Sequence, residues 1–173
     1  MKRKIMAVTL TAAMLAGLAA VPVWADDTGS DEGKVLNIYC WNEEFKSRLT
    51  DHYPGYEEVD GTHGKIGDVD VVWNITPSDD NAYQNNLDET LLKQADASAD
   101  DKIDLFLVEA DYALKYVNTD YTMPVADLGI TEDEVADQYQ YTKDVMTDAD
   151  GNLKGLSWQG CPCLLYTSPS PRD

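Results

Sequence analysis

Ile103-Asp-Leu-Phe-Leu-Val108 is a short, nearly continuous apolar run bounded by polar sequence. A run of that length and character predicts a strand covered on both of its faces, which requires packed layers on either side of a sheet. The neighbouring segments supply candidates for those layers. Lys34 to Trp41 alternates Val35, Asn37 and Tyr39 against Leu36, Ile38 and Cys40, and is rich enough in β-branched and aromatic residues to be a strand. Asn42 to Leu49 follows with helical spacing at Phe45 and Leu49. Val69 to Ile75 reads as a second strand, followed by a break at Thr76-Pro77-Ser78. A helix capped by Ser78, Asp79 or Asp80 then runs to about Gln94, with Leu87, Leu91 and Leu92 on one stripe. Ala110 to Val117 reads as a short helix after the third strand.

Strand–helix alternation repeated three times predicts an α/β layered fold with a mostly parallel sheet and helices on both faces. Pro54-Gly55 and Gly61-Thr-His-Gly64 are expected to be loop. Asn118 to Gly129 is a further loop, Thr131-Glu-Asp-Glu134 a capping box opening a short helix, Thr147 to Asn152 a hairpin turn, and Leu153 to Trp158 a final strand. Asp148, Asp150 and Asn152 share the spacing of a calcium loop, but the rest of the twelve-residue pattern, including its distal Glu, is missing.

Both ends of the chain differ from its middle. Lys2-Arg3-Lys4, an apolar run from Ile5 to Val23, and small residues around Ala25 predict a secretory signal over residues 1–25. No cysteine follows the apolar run, so a lipid anchor is not expected, and the location is periplasmic, extracellular or at the cell surface. Residues 26–162 form the expected α/β body. Residues 163–173, Cys-Leu-Leu-Tyr-Thr-Ser-Pro-Ser-Pro-Arg-Asp, abandon the acidity of the body and resemble a translated sequencing adapter, a non-native tail. The body is then expected to be an incomplete piece of a longer protein. In the oxidising setting of an exported chain, Cys40 and Cys161 are candidates for a disulfide.

The net charge is −19 even though Lys2, Arg3 and Lys4 oppose it. A surface so acidic repels phosphate backbones and excludes nucleic acid as a partner. Glu43 with Glu109 would suit a glycoside-cleaving enzyme if suitably spaced. Carboxylates are so numerous here, 32 in all, that a pair has little meaning by itself. There is no nucleophile elbow, zinc-protease motif, P-loop or dinucleotide fingerprint. The expectation is a non-enzyme with no cofactor and no metal.

In parallel layers, ligands bind at the carboxyl ends of strands. Those ends collect Trp41, Asn42 and Glu43, then Glu109 and Asp111, then Trp158 and Gln159. Indole rings stack on the C–H face of a sugar, and carboxylates and amides bond its hydroxyls. Trp41 and Trp158 are the stacking candidates, and Asn42, Glu43, Glu109, Asp111 and Gln159 the hydroxyl-binding ones. Packing in the core, for the indoles, and helix capping, for Glu109 and Asp111, are competing uses of the same side chains.

Several ordered segments carry a family resemblance: Leu36–Phe45 (LNIYCWNEEF), Ile75–Glu89 (ITPSDDNAYQNNLDE), Asp101–Val117 (DKIDLFLVEADYALKYV), Met123–Ile130 (MPVADLGI) and Gly151–Gln159 (GNLKGLSWQ). Together they resemble the family 1 extracellular solute-binding proteins of ABC importers, in the carbohydrate-binding branch. The resemblance implies two α/β lobes closing over a solute, a monomeric receptor without catalysis or cofactor, and delivery to a transmembrane permease. Only the first lobe is present, so the chain is expected to be marginally stable and to bind weakly alone. A peptide, amino acid or polyamine is the alternative solute.

Overall fold

A computed structural model describes residues 33–160. The expected signal at 1–25, the adapter-like tail at 163–173 and Cys161 lie outside them, and with Cys161 the expected disulfide. Nine elements make up the fold: β1 (Val35–Cys40), α1 (Glu44–His52), β2 (Tyr56–Glu58), β3 (His63–Ile66), β4 (Val69–Ile75), α2 (Ala82–Leu91), β5 (Leu105–Phe106), α3 (Leu114–Val117) and α4 (Gln140–Val145). Short 3-10 turns link several of them. The strands form one sheet in the order β2-β3-β4-β1-β5.

The alternation in β1 separates two cores. Ile38 and Cys40 face one side with Val71, Trp73 and Leu107, and Phe45 and Leu49 of α1 cover them. Tyr39, Trp41 and Phe106 face the other side, where Tyr83, Leu87 and Leu91 of α2 and Tyr116 of α3 pack. The fold is therefore α/β with helices on both faces, as the strand patterns dictate. Cys40 is fully buried, and burial pushes its thiol up to about 11.

The expectation of a mostly parallel sheet is corrected. β1 runs parallel to β4 and to β5, but β2–β3 and β3–β4 pair antiparallel, and the sheet is mixed. The antiparallel half comes from residues 56–66, between and within the segments Pro54-Gly55 and Gly61-Thr-His-Gly64 that were expected to be loop. At the first turn the Asp60 carboxylate accepts the backbone N–H groups of Thr62 and His63 at 2.8 Å each. At the second, Gly67 at φ +60 and Asp68 join Ile66 to its partner Val69 in a two-residue turn. Lys46 of α1 reaches across to the hairpin, donating to the Gly61 carbonyl at 2.7 Å and lying 3.4 Å from Glu58.

β5 is shorter than the expected 103–108 strand, because side chains take the bonds a neighbouring strand would make. The Gln94 amide clasps both backbone groups of Ile103, at 2.8 and 2.9 Å. The Asp104 carboxylate accepts the Asn37 N–H at 2.8 Å. The Tyr83 hydroxyl reaches the Leu107 carbonyl at 2.7 Å.

Two expectations near the end of the body also change. The capping box closes, with Glu134 accepting the Thr131 N–H at 2.8 Å and its hydroxyl at 2.9 Å, but turns follow it and the next helix is α4. The hairpin turn forms, with Thr147 bridged to Leu153. No strand follows it, because the Leu153 carbonyl accepts from Val125 and the Lys154 N–H donates to Met146.

Candidate functional site

The three parallel strands place their carboxyl ends side by side. Cys40 stands opposite Ile75 and Tyr39 opposite Phe106. Beyond those pairs the ladder continues for one bond on each side: Thr76 N–H donates to the Cys40 carbonyl and Leu107 N–H to the Tyr39 carbonyl, both at 3.0 Å. Trp41-Asn42-Glu43, Thr76-Pro77 and Glu109-Ala110-Asp111 therefore leave adjoining strands at one edge.

Each residue at that edge has a local reason for its position. Trp41 is half-buried and stands edge-on to Tyr83, with ring centroids 5.5 Å apart at 75°. Its indole packs on both cores, so part of its surface is structural. The Asn42 side chain accepts the Glu44 N–H at 2.9 Å, satisfying a free donor in the first turn of α1. Glu43, Glu109 and Asp111 are exposed. The Glu109 carbonyl accepts the Tyr112 N–H at 3.2 Å, starting the turn into α3. After β4, Asp80 at φ +51 and Asn81 at φ +61 turn the chain back beneath the sheet. Asp and Asn are the residues that tolerate this left-handed backbone best. Asn86 of α2 donates to the Thr76 hydroxyl at 2.9 Å, tying that helix to the end of β4.

Trp158 and Gln159 do not end a strand. Trp158 is half-buried on Phe45, edge-on with centroids 5.3 Å apart, and Phe45 in turn meets Trp73 at 6.3 Å. Gln159 donates to Glu44 at 3.4 Å. Both contacts fall on the first turn of α1, just past the carboxyl end of β1. The segment thus reaches α1 by side-chain packing, on the face of the sheet opposite Tyr83.

The sequence reading missed Tyr83 and Tyr112, which line the α2 side of the edge. Burial raises the Tyr83 hydroxyl far above the usual tyrosine range and pushes Tyr112 up to about 12. Tyr83 stands four residues before Leu87, on the same buried stripe of α2, and the helical period running back from Leu87 points to it.

Two open cavities lie away from the edge. One, of about 250 Å³, is lined by Asp88, Leu91, Lys115, Tyr116 and Tyr121 among others. The other, of about 310 Å³, follows α1 from Phe45 to Pro54. Neither includes Trp41, Glu43, Glu109 or Trp158. Among the described residues, no group of three or more His, Cys, Asp or Glu side chains is placed to hold a metal ion, and no helix is long and apolar enough to cross a membrane.

No family model, curated protein or solved structure matches this chain.

Proposed function

We propose that this chain is the first lobe of an exported solute-binding receptor, which captures a sugar and delivers it to a membrane permease. The observation that carries the reading is the shared carboxyl edge of β5, β1 and β4, where Trp41 follows one strand and Glu109 and Asp111 follow its neighbour. An open edge of that kind is the usual ligand position in α/β sheets. The uncovered part of the half-buried Trp41 indole would stack on a pyranose ring, and Glu43, Glu109 and Asp111 would accept its hydroxyl protons. On this reading a second lobe closes over the edge. A ligand that touches both lobes then favours the closed form, which docks on the permease.

The test is thermal unfolding of the complete gene product with a panel of mono- and oligosaccharides, amino acids, peptides and polyamines. A sugar present at one hundred times its dissociation constant stabilises by about 2.7 kcal/mol, and Trp41→Ala is expected to abolish that gain. Stabilisation by polyamine in place of sugar would transfer the carboxylate cluster to a cationic guest. Stabilisation by none of the panel would overturn the reading.

A further inference from the structure

Thr76 follows β4 as Trp41 follows β1, and the two stand side by side. Cys40 pairs with Ile75 in register, and the Thr76 N–H donates to the Cys40 carbonyl at 3.0 Å. Side chains alternate along a strand, and residues paired in register share a face. Val71, Trp73 and Ile75 pack on the α1 side of the sheet, which sends Thr76 to the α2 side. There the Trp41 ring meets Tyr83, and there Asn86 of α2 donates to the Thr76 hydroxyl at 2.9 Å. Thr76 and Asn86 therefore lie beside Trp41, at the same edge and on the same face.

The pair is held in place yet open to solvent. Tyr83 is buried, its hydroxyl donates to the Leu107 carbonyl at 2.7 Å, and its N–H donates to the Pro77 carbonyl at 3.1 Å. The first turn of α2 is thus fixed against the loop that leaves β4. Asn86 stands three residues further on, on the same side of the helix. Helical side chains lean toward the helix N-terminus, which here is the strand edge. Asn86 is exposed and Thr76 half-buried. Their bond uses one amide proton and one hydroxyl lone pair. Among the described residues nothing bonds the Thr76 hydroxyl proton, the Asn86 amide oxygen or its second amide proton.

Glu43, Glu109 and Asp111, the carboxylates of this edge, only accept. A sugar hydroxyl both donates and accepts, so carboxylates satisfy half of it. Thr76 and Asn86 supply a donor and an acceptor on adjoining side chains, without charge. We infer that this pair recognises two adjacent hydroxyls on the ring that stacks on Trp41, one accepting from the Thr76 hydroxyl and the other donating to the Asn86 amide oxygen. The inference rests on the proposed sugar-binding function and deepens it: the guest is a neutral ring carrying a vicinal diol.

Saturation-transfer NMR on the 173-residue chain tests this with glucose, galactose, mannose, xylose and their disaccharides at millimolar concentration. The singly deoxygenated analogues of each sugar that binds are then compared with their parent. A site that bonds a hydroxyl rejects the analogue lacking it, so at least one analogue is expected to give at least fivefold less transfer. Asn86→Ala and Thr76→Val are expected to lower transfer to the parent sugar and to erase the difference between parent and analogue. Asn85→Ala, an exposed neighbour on α2, is expected to preserve both. A bond that merely ties α2 to β4 would weaken parent and analogue alike, so an unchanged ratio in Asn86→Ala would overturn the inference. Circular dichroism checks that each variant is folded. Sugar binding that Trp41→Ala removes, while Asn86→Ala and Thr76→Val leave it intact, would overturn the pair but not the strand-edge reading. Transfer to none of the sugars would overturn both.

Discussion

The Tyr83 ring is buried between α2 and the sheet, and its hydroxyl lies 2.7 Å from the Leu107 carbonyl and 3.1 Å from that of Tyr39. β5 has stopped at Phe106, so no strand serves the Leu107 carbonyl. Tyr83→Phe keeps the ring packing and leaves a buried acceptor without its donor, a loss of about 1–3 kcal/mol. Urea unfolding measures it, and an unchanged midpoint would refute the role given to the hydroxyl. At the opposite end of the same strands, burial raises the Asp104 carboxyl above its ordinary value despite the Asn37 N–H it accepts. A raised folded-state value means that the native chain holds this proton longer than the unfolded one. Stability therefore falls as pH climbs from about 3.9 through the raised value, and stays level above it. Asp104→Asn removes the partly desolvated charge and keeps an acceptor for Asn37. The variant is expected to be more stable than the parent at pH 7, with the difference vanishing below pH 3.5. A constant difference across that range would show that charge is not the cause.

Elements here are fixed by a few close contacts between them. The β2–β3 hairpin lies on β4 through Tyr56, whose hydroxyl accepts the Trp73 indole N–H at 3.1 Å. The phenol lies directly over Gly64, where an added Cβ would overlap the hydroxyl oxygen and the ring carbons beside it. Gly64→Ala must push Tyr56 aside and break that bond. The expected loss is about 1–3 kcal/mol, with a change in Trp73 fluorescence, and a variant matching the parent in both would show that the hairpin has room to shift. The hairpin also marks the limit of reading elements from sequence. Asp60-Gly61 and Gly67-Asp68 are both turn dipeptides. The segments between them are too short and polar to give an alternating apolar pattern, so only pairing makes them strands. β1 and β4 were legible because each is long, β-branched and buried. Leu153 to Trp158 lacks β-branched residues, and its backbone bonds go to Val125 and Met146 rather than to a strand.

The molecule as a whole carries far more negative charge than its cations can offset. The exposed pairs Lys65–Asp70 and Lys115–Asp88 and the largely covered pair Lys154–Asp148 engage only a few of the 32 carboxylates. Repulsion among the rest opposes the compact state and is screened by salt, as the Debye length falls from about 30 Å at 0.01 M to about 8 Å at 0.15 M. The unfolding temperature is expected to rise between those two sodium chloride concentrations. A melting temperature that stays flat or falls would mean that the acids are spaced widely enough not to interact.

Residue order alone determined the α/β class and the two faces of β1, because period-2 alternation assigns each side chain to a side before any partner is known. It also brought Trp41 and Glu109 to one edge, since parallel strands linked by crossovers must end on the same side. Only the tertiary structure decided the mixed sheet, the shortened β5 and the arrival of Trp158 on Phe45. Each of those depends on which distant group completes a hydrogen bond or covers a ring, and such pairings have no period along the chain.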